Sequence, residues 1–181
     1  AMRRDPAAAL ARIAVFVNDL AERFGAPQVA TVGRIELHPN LINVVPSRAT
    51  FTVDLRNTDE EVLRRAEAEL DAELARVAER HGVDVETESL ARFEPVAFDE
   101  RVVSKVESAA AARGLSVQRM PSGAGHDAQM LARMCPAGMV FVPSIGGISH
   151  NPAELTDDAD LVVGCQVMAD VMLDLAEGED W

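Results

Sequence analysis

Apolar residues recur at helical spacing near the start of the chain, at Leu10, Ile13, Ala14, Val17, Ala21 and Phe24. Asp5 followed by Pro6 supplies an N-cap with proline at the first helical position, and Gly25 with Pro27 stops the run. The period then drops to two. Residues 29–37 read as a strand, and His38-Pro39-Asn40 as the turn out of it. Residues 50–56 predict a second strand, with Phe51, Val53 and Leu55 on one face and Thr52, Asp54 and Arg56 on the other. A face carrying Asp and Arg belongs to solvent or to a site. Thr58 with Glu61 three residues on forms a capping box for a long helix ending at His81. Its stripe is Leu63, Ala66, Leu70, Leu74 and Val77, and Gly82 stands in the C-cap position. Residues 83–93 alternate again up to Pro95.

This order, helix–strand–strand–helix–strand, is that of a split-βαβ (ferredoxin-like) module without its first strand. Past Pro95 the rhythm changes, which sets a boundary at 94–98 and expected domains of 1–95 and 96–181. A helix over 99–113 closes at Gly114, and a short strand follows over 115–120. The loop Pro121-Ser122-Gly123-Ala124-Gly125 leads into a helix ending about Met134. Residues 139–143 form a continuous apolar run, as in a buried parallel strand. Thr156 caps a final helix with Leu161, Cys165, Met168, Met172 and Leu175 inward. The second half therefore reads as α/β with a mainly parallel sheet. There is no internal repeat and no low-complexity segment.

Charge narrows the function. The 181 residues carry 17 basic and 30 acidic side chains, a net charge of −13. Nucleic-acid backbones and anionic membranes need a basic surface, so neither is an expected partner. Six Phe, one Trp and no Tyr leave few platforms for stacking bases. No apolar run approaches the ~20 residues that span a bilayer, and the first residues do not form a secretory leader. Cys135 and Cys165 sit among apolar neighbours and are expected to be buried, reduced thiols. The expected location is the cytoplasm.

Open α/β sheets place their sites beyond the carboxyl ends of strands, where two loops here carry histidines. These are Gly125-His126-Asp127 and Ser149-His150-Asn151. Gly146-Gly147 lets a ligand approach the backbone closely, and Pro152 stiffens the exit. Each histidine is either a hydrogen-bonding residue or a metal ligand. Asp127 and Glu154 are candidates to fix an imidazole tautomer from behind. No H-E-x-x-H or comparable close pairing makes a complete zinc site legible. Glu60-Glu61 lies at a helix N-terminus, where carboxylates complement the dipole. Arg56 ends a strand on the face of Asp54; it either takes a substrate carboxylate in a bidentate fork or pairs with Asp54.

Five strings fall in one consistent order: Thr31-Val32-Gly33-Arg34-Ile35, Leu41-Ile42-Asn43-Val44-Val45-Pro46, Asp54-Leu55-Arg56, Pro121 through Ala128, and Phe141 through Glu154. Together they resemble the group of N-carbamoyl-L-amino-acid hydrolases, β-ureidopropionases and allantoate amidohydrolases, within the dinuclear metallopeptidase/aminoacylase superfamily. The resemblance covers almost the whole chain. It implies a lid domain, also the dimer interface, over 1–95, followed by the C-terminal part of a zinc-exopeptidase-like catalytic domain over 96–181. It implies that His150 is a ligand of one of two divalent metal ions, which in the family are zinc, manganese, nickel or cobalt. Asn43 and Arg56 would bind the carbamoyl and carboxylate groups of the substrate. Gly125, His126 and Asp127 with Gly146 and Gly147 would line the pocket.

The remaining metal ligands, the bridging aspartate and the general base lie, by the same resemblance, in the first half of the catalytic domain. That half is not in this sequence, so no catalytic residue is assigned. The family's lid histidine is expected just before residue 1. The expectation is a truncated amidohydrolase, inactive alone, that forms a homodimer through the lid and acts in complete form on a small carbamoyl or ureido substrate. Two alternatives stay open: a non-catalytic dimerisation or ligand-binding protein of the same fold, and an aminoacylase or peptidase of the same superfamily.

Overall fold

The computed structural model describes residues 3–178, so the start of the first expected range and the end of the second lie outside the described residues. The chain divides into two compact units, Ala1–Pro95 and Val96–Trp181.

In the first unit, α1 spans Pro6–Phe24. The Asp5 carboxylate accepts the backbone N–H groups of Ala7 and Ala8 at 3.1 and 3.2 Å, satisfying donors that the helix cannot. Strands β1 (Val29–His38) and β2 (Arg48–Arg56) pair antiparallel, from Val29 opposite Arg56 to His38 opposite Arg48. Helix α2 runs over Glu60–His81 and ends at Gly82, whose φ of 62° is the left-handed conformation that glycine adopts freely. Ile13 and Val17 of α1 meet Leu74 and Val77 of α2 in the core, with Val32, Phe51 and Val53 of the hairpin packed against them. Both helices therefore cover one face of the hairpin and leave the other open.

The hairpin ladder is irregular at one place. Between Val32 and Ile35 on β1 two residues, Gly33 and Arg34, oppose Thr52 alone, which makes a β-bulge. The Thr52 hydroxyl accepts the Arg34 N–H at 3.0 Å, and a side chain on Gly33 would start 3.2 Å from that hydroxyl.

Two sequence expectations in this unit are corrected. The cap of α2 is Asp59, not Thr58: its carboxylate accepts from Glu61 at 2.8 Å and Val62 at 3.0 Å. Asn57 accepts the Asp59 N–H at 2.9 Å and so sets this entry. Residues 83–93 form no strand among the described residues. Alternation is a local property, whereas a strand needs a ladder partner, and residues 83–93 pair with neither edge of the β1–β2 sheet. Side chains hold the segment instead. Arg92 binds Glu67 and Glu60 of α2 at 2.9 and 2.7 Å, and Arg64 reaches Glu94 at 3.4 Å.

The second unit is built on α3 (Glu100–Ala112) and α5 (Asp158–Glu177), which pack together. Arg113 holds Asp170 at 2.6 and 2.9 Å and Gln166 at 2.9 Å; Lys105 pairs with Asp174. Helix α4 (Asp127–Leu131) is short and continues as turns to Met134. The strands expected over 115–120 and 139–143 are absent among the described residues, and so is the parallel sheet. Arg119 is drawn to Glu100 and Glu107 of α3 at 2.8 and 2.6 Å. The apolar run lies against helices: Val142 sits over Gly164 of α5, and Val102 of α3 is so close to Gly138 that a Cβ there would lie 2.8 Å from it.

The final helix is also corrected. Asp157, not Thr156, is its N-cap residue, and no side-chain hydrogen bond is made there. Its buried residues are Val167 and Val171, whereas Leu161, Cys165, Met168 and Met172 are exposed and Leu175 is half-buried. Beyond its acidic first turn, and apart from the polar stripe of Gln166, Asp170, Asp174 and Glu177, apolar residues fill the rest of this helix, a face too wide for spacing alone to choose the inward positions. Cys135 and Cys165 are both exposed, against the expectation of burial. Cys165 lies on the outward side of α5, and Cys135 follows the turns after α4. Among the described residues no helix is long and apolar enough to cross a membrane.

Candidate functional site

The open face of the hairpin carries Arg56. Phe51 and Val53 anchor β2 in the core, and the pleat then turns Thr52, Asp54 and Arg56 outward. Arg56 and Asp54 do pair. The Arg56 Nε lies 2.9 and 3.2 Å from the two Asp54 carboxylate oxygens, and Nη2 lies 2.6 Å from one of them. This hydrogen-bonded carboxylate raises the guanidinium above its ordinary pKa, against a smaller opposing effect of burial. Both side chains are 48% exposed, so a ligand can reach the pair from solvent.

Asn43 is exposed in the connection that follows His38. The connection is closed at its base by the Ser47 N–H on the His38 carbonyl, at 2.8 Å. Arg48 and Arg56 are eight residues apart on β2, so at about 3.3 Å per residue the two ends of the strand stand roughly 26 Å apart. Asn43 and Arg56 thus belong to opposite ends of the hairpin.

In the second unit, Ser122 donates its hydroxyl to the Ala124 carbonyl at 3.0 Å within the glycine-rich loop. Next to that loop, His126 is the N-cap of α4: its Nδ1 accepts the Ala128 N–H at 3.0 Å. The neutral imidazole consequently carries its proton on Nε2, as a donor. Sequence reasoning missed this capping role; the signal was a polar residue immediately before Asp127 at the start of a helix. Asp127 is the first residue of α4. Gly125 borders open space, since a Cβ there would meet nothing within 4 Å.

The loop 144–155 folds on itself. Ile145 N–H reaches the Leu155 carbonyl at 2.8 Å, and Gly147 N–H the Ser144 carbonyl at 2.9 Å. Gly146 and Gly147 both have φ of 68°. His150 has φ of 53°, a left-handed conformation uncommon outside glycine, and its N–H donates to the Glu154 carboxylate at 2.9 Å. Glu154 therefore holds the backbone of His150, which corrects the expectation that it fixes an imidazole tautomer. Among the described residues no three His, Cys, Asp or Glu side chains are grouped to hold a metal ion.

The profile of Peptidase family M20/M25/M40 matches residues 8–174. The chain belongs to the M20/M25/M40 family. It is similar to the allantoate amidohydrolase of Escherichia coli (strain K12), with 38% identity over 174 residues, which is 96% of this chain and 42% of that protein. It is likewise 38% identical over 178 residues to the N-carbamoyl-L-amino acid amidohydrolase of Geobacillus stearothermophilus, covering 98% of this chain and 43% of that one. The crystal structure of a hydantoinase/carbamoylase-family amidase from Burkholderia vietnamiensis superposes with a TM-score of 0.93 at 41% identity. That match covers 98% of this chain and 43% of the amidase. The M20-family chain thus spans less than half the length of the relatives it matches, and its fold is the mixed α/β fold of that family.

Proposed function

We propose that this chain is the substrate-recognition portion of a metal-dependent amidohydrolase that cleaves the carbamoyl or ureido C–N bond of N-carbamoyl amino acids or allantoate. The observation that carries the reading is the match, over nearly all of this chain, to relatives named for these two substrates. Residues 1–95 are then a lid and dimerisation domain, and 96–181 the C-terminal part of a catalytic domain.

The roles are the ones the family resemblance implies, and the chemistry of the side chains suits them. Arg56, on an open strand face, receives the substrate carboxylate. Asn43 offers both a donor and an acceptor to a carbamoyl group. It stands at the opposite end of the hairpin from Arg56, so the two side chains of one copy do not hold the same small substrate. His126, with its proton on Nε2, donates to a substrate oxygen, and Asp127 borders the same loop. Gly125 and Gly147 leave the backbone open to a ligand, and Gly146, beside Ile148, lines the same loop as Gly147.

His150 would supply one ligand to a divalent zinc, manganese, nickel or cobalt ion. One imidazole does not make a metal site, which takes three or four ligands, so the residues present do not fit a resident ion by themselves. No hydrolytic step is assigned to this chain, and alone it is expected to be inactive with any of these metals. A homodimer through residues 1–95 completes the reading.

The test is a chimera in which these residues replace the matching 42% of the Escherichia coli allantoate amidohydrolase. Hydrolysis of allantoate or N-carbamoyl amino acids at an ordinary enzymatic rate, about 1–1,000 per second, is the expected result. A folded, metal-loaded chimera that cleaves peptides or acylated amino acids instead would overturn it.

A further inference from the structure

The pairing of Arg56 with Asp54 has two opposite meanings for a site that receives a carboxylate. If Asp54 competes with the substrate, the pair is an obstacle. If it orients the guanidinium, the pair is part of the receptor. We propose that Asp54 is a positioning residue, which holds the Nε–Nη2 edge of Arg56 and thereby fixes the plane in which the guanidinium meets the substrate carboxylate. This rests on the reading of Arg56 given under the proposed function.

The geometry favours orientation. Asp54 and Arg56 are two positions apart on one strand, so the pleat sets both on the open face, and the backbone beneath them is anchored by Phe51 and Val53. The contact is side-on: Nε is shared between both carboxylate oxygens at 2.9 and 3.2 Å, and Nη2 meets one at 2.6 Å. A side-on fork fixes the ring-like plane of the guanidinium, whereas a single contact leaves it free to rotate. An ion pair exposed to this degree contributes little to stability, so fold maintenance does not account for the arrangement. Its effect is to remove rotamer freedom from a long side chain before a ligand arrives, which lowers the entropic cost of binding. The same sheet holds an internal control: Arg34 on β1 also pairs two residues on, but both its nitrogens converge on the single Oε1 of Glu36.

The experiment titrates N-carbamoyl-L-alanine, and separately its neutral carboxamide, into the full 181-residue chain while following the Arg56 Nε–H resonance by NMR. The sign of the Asp54→Asn effect decides. Removing a negative charge next to Arg56 strengthens carboxylate binding if Asp54 merely competes. If Asp54 positions the guanidinium, the same change weakens carboxylate binding by about fivefold, from lost preorganisation, and brings the affinities for carboxylate and carboxamide together. Asp54→Glu, which keeps the charge, is expected to recover part of the preference, and Glu36→Gln to leave it unchanged. Tighter or unaltered carboxylate binding in Asp54→Asn overturns the positioning role. Arg56→Ala with undiminished binding, or no carboxylate-dependent shift at Arg56 at tens of millimolar ligand, overturns the carboxylate reading itself and the inference with it.

Discussion

The two units of this chain solve the same problem to different degrees. In Ala1–Pro95 two helices close over a two-stranded sheet, and Ile13, Val17, Leu20 and Val77 are the largest side chains removed from water almost completely. Among the described residues of Val96–Trp181 the buried ones are Val102, Ala110, Val167 and Val171 on the α3–α5 pair and Ala128 on α4. Large apolar side chains remain outside: Met134 is 85% exposed, Met172 63% and Leu173 61%. A sheet with one covered face can close a core on its own, because its ladder satisfies the backbone while its side chains pack. Apolar segments without a ladder can only lean on helices, which leaves both apolar surface and backbone groups facing water. The first unit therefore closes over its own core, whereas the second gathers few buried residues where α3 meets α5, and the exposed ion pairs at its edge add little to that.

Truncating one methyl-bearing residue in each unit tests this most sharply. Val17 and Val167 are 1% and 3% exposed, so the apolar area lost is similar. Val17→Ala is expected to destabilise the first unit by about 2–3 kcal/mol, because its closed surroundings cannot relax into the cavity. Val167→Ala should cost the second unit less, since a loosely enclosed site collapses more readily. Denaturant unfolding followed by hydrogen exchange in each unit measures both. Equal costs would show that the second core is as closed as the first.

Helix caps give a smaller contrast. Asp59 accepts two backbone N–H groups of α2, so Asp59→Ala should cost about 1 kcal/mol. Asp157 makes no side-chain hydrogen bond at α5, and Asp157→Ala should fall near zero apart from a small loss of favourable charge at the helix end. Thermal melts of the two variants would reveal a reversal of this order.

Acid should separate the units by a margin that shrinks with salt. Arg119 holds Glu100 and Glu107 below the usual carboxylate range, chiefly by hydrogen bonds, and Arg113 does the same to Asp170. A carboxyl whose folded pKa is depressed stabilises the fold above the ordinary carboxylate range and stops doing so as pH falls through its lowered value. Asp5 and Glu60 in the first unit are lowered as well, so the shifts act on both units, and the smaller closed core decides: amide protection in residues 96–178 should fade at higher pH than protection in the core of α1 and α2. Simultaneous loss in both units would contradict the contrast in core closure.

The same contrast explains what the sequence made legible. Helices announce themselves locally, and α1, α2, α3 and α5 stand where the spacing, the caps and the glycines placed them, within a residue or so. The hairpin was readable too, because β1 and β2 follow one another and need no distant partner. Residues 83–93, 115–120 and 139–143 have the right alternation or the right apolar run, but a ladder is a non-local fact that alternation does not encode. At the candidate site, the open face of Arg56 followed from the pleat, whereas its side-on union with Asp54 left two readings open. Glu154 as a backbone acceptor left no mark in the sequence, and His126 as a cap was signalled only by a polar residue standing before Asp127. Both depend on loop geometry that no periodicity describes.

The bulge in β1 bears on how this hairpin tolerates changes of length. Along β1, Ala30 and Val32 pack against the helices, and Ile35 and Leu37, opposite Phe51 and Ala49, take up the same face of the sheet beyond the bulge; the parity switches at Gly33 and Arg34. Removing either Gly33 or Arg34 would restore strict alternation, with the remaining one opposite Thr52 and Ala30, Val32, Ile35 and Leu37 still on the face of Phe51 and Val53. Removing one residue elsewhere in β1 would send Arg34 or Glu36 inward, or an apolar neighbour outward. The strand thus has a single address at which one codon can be lost without inverting its two faces.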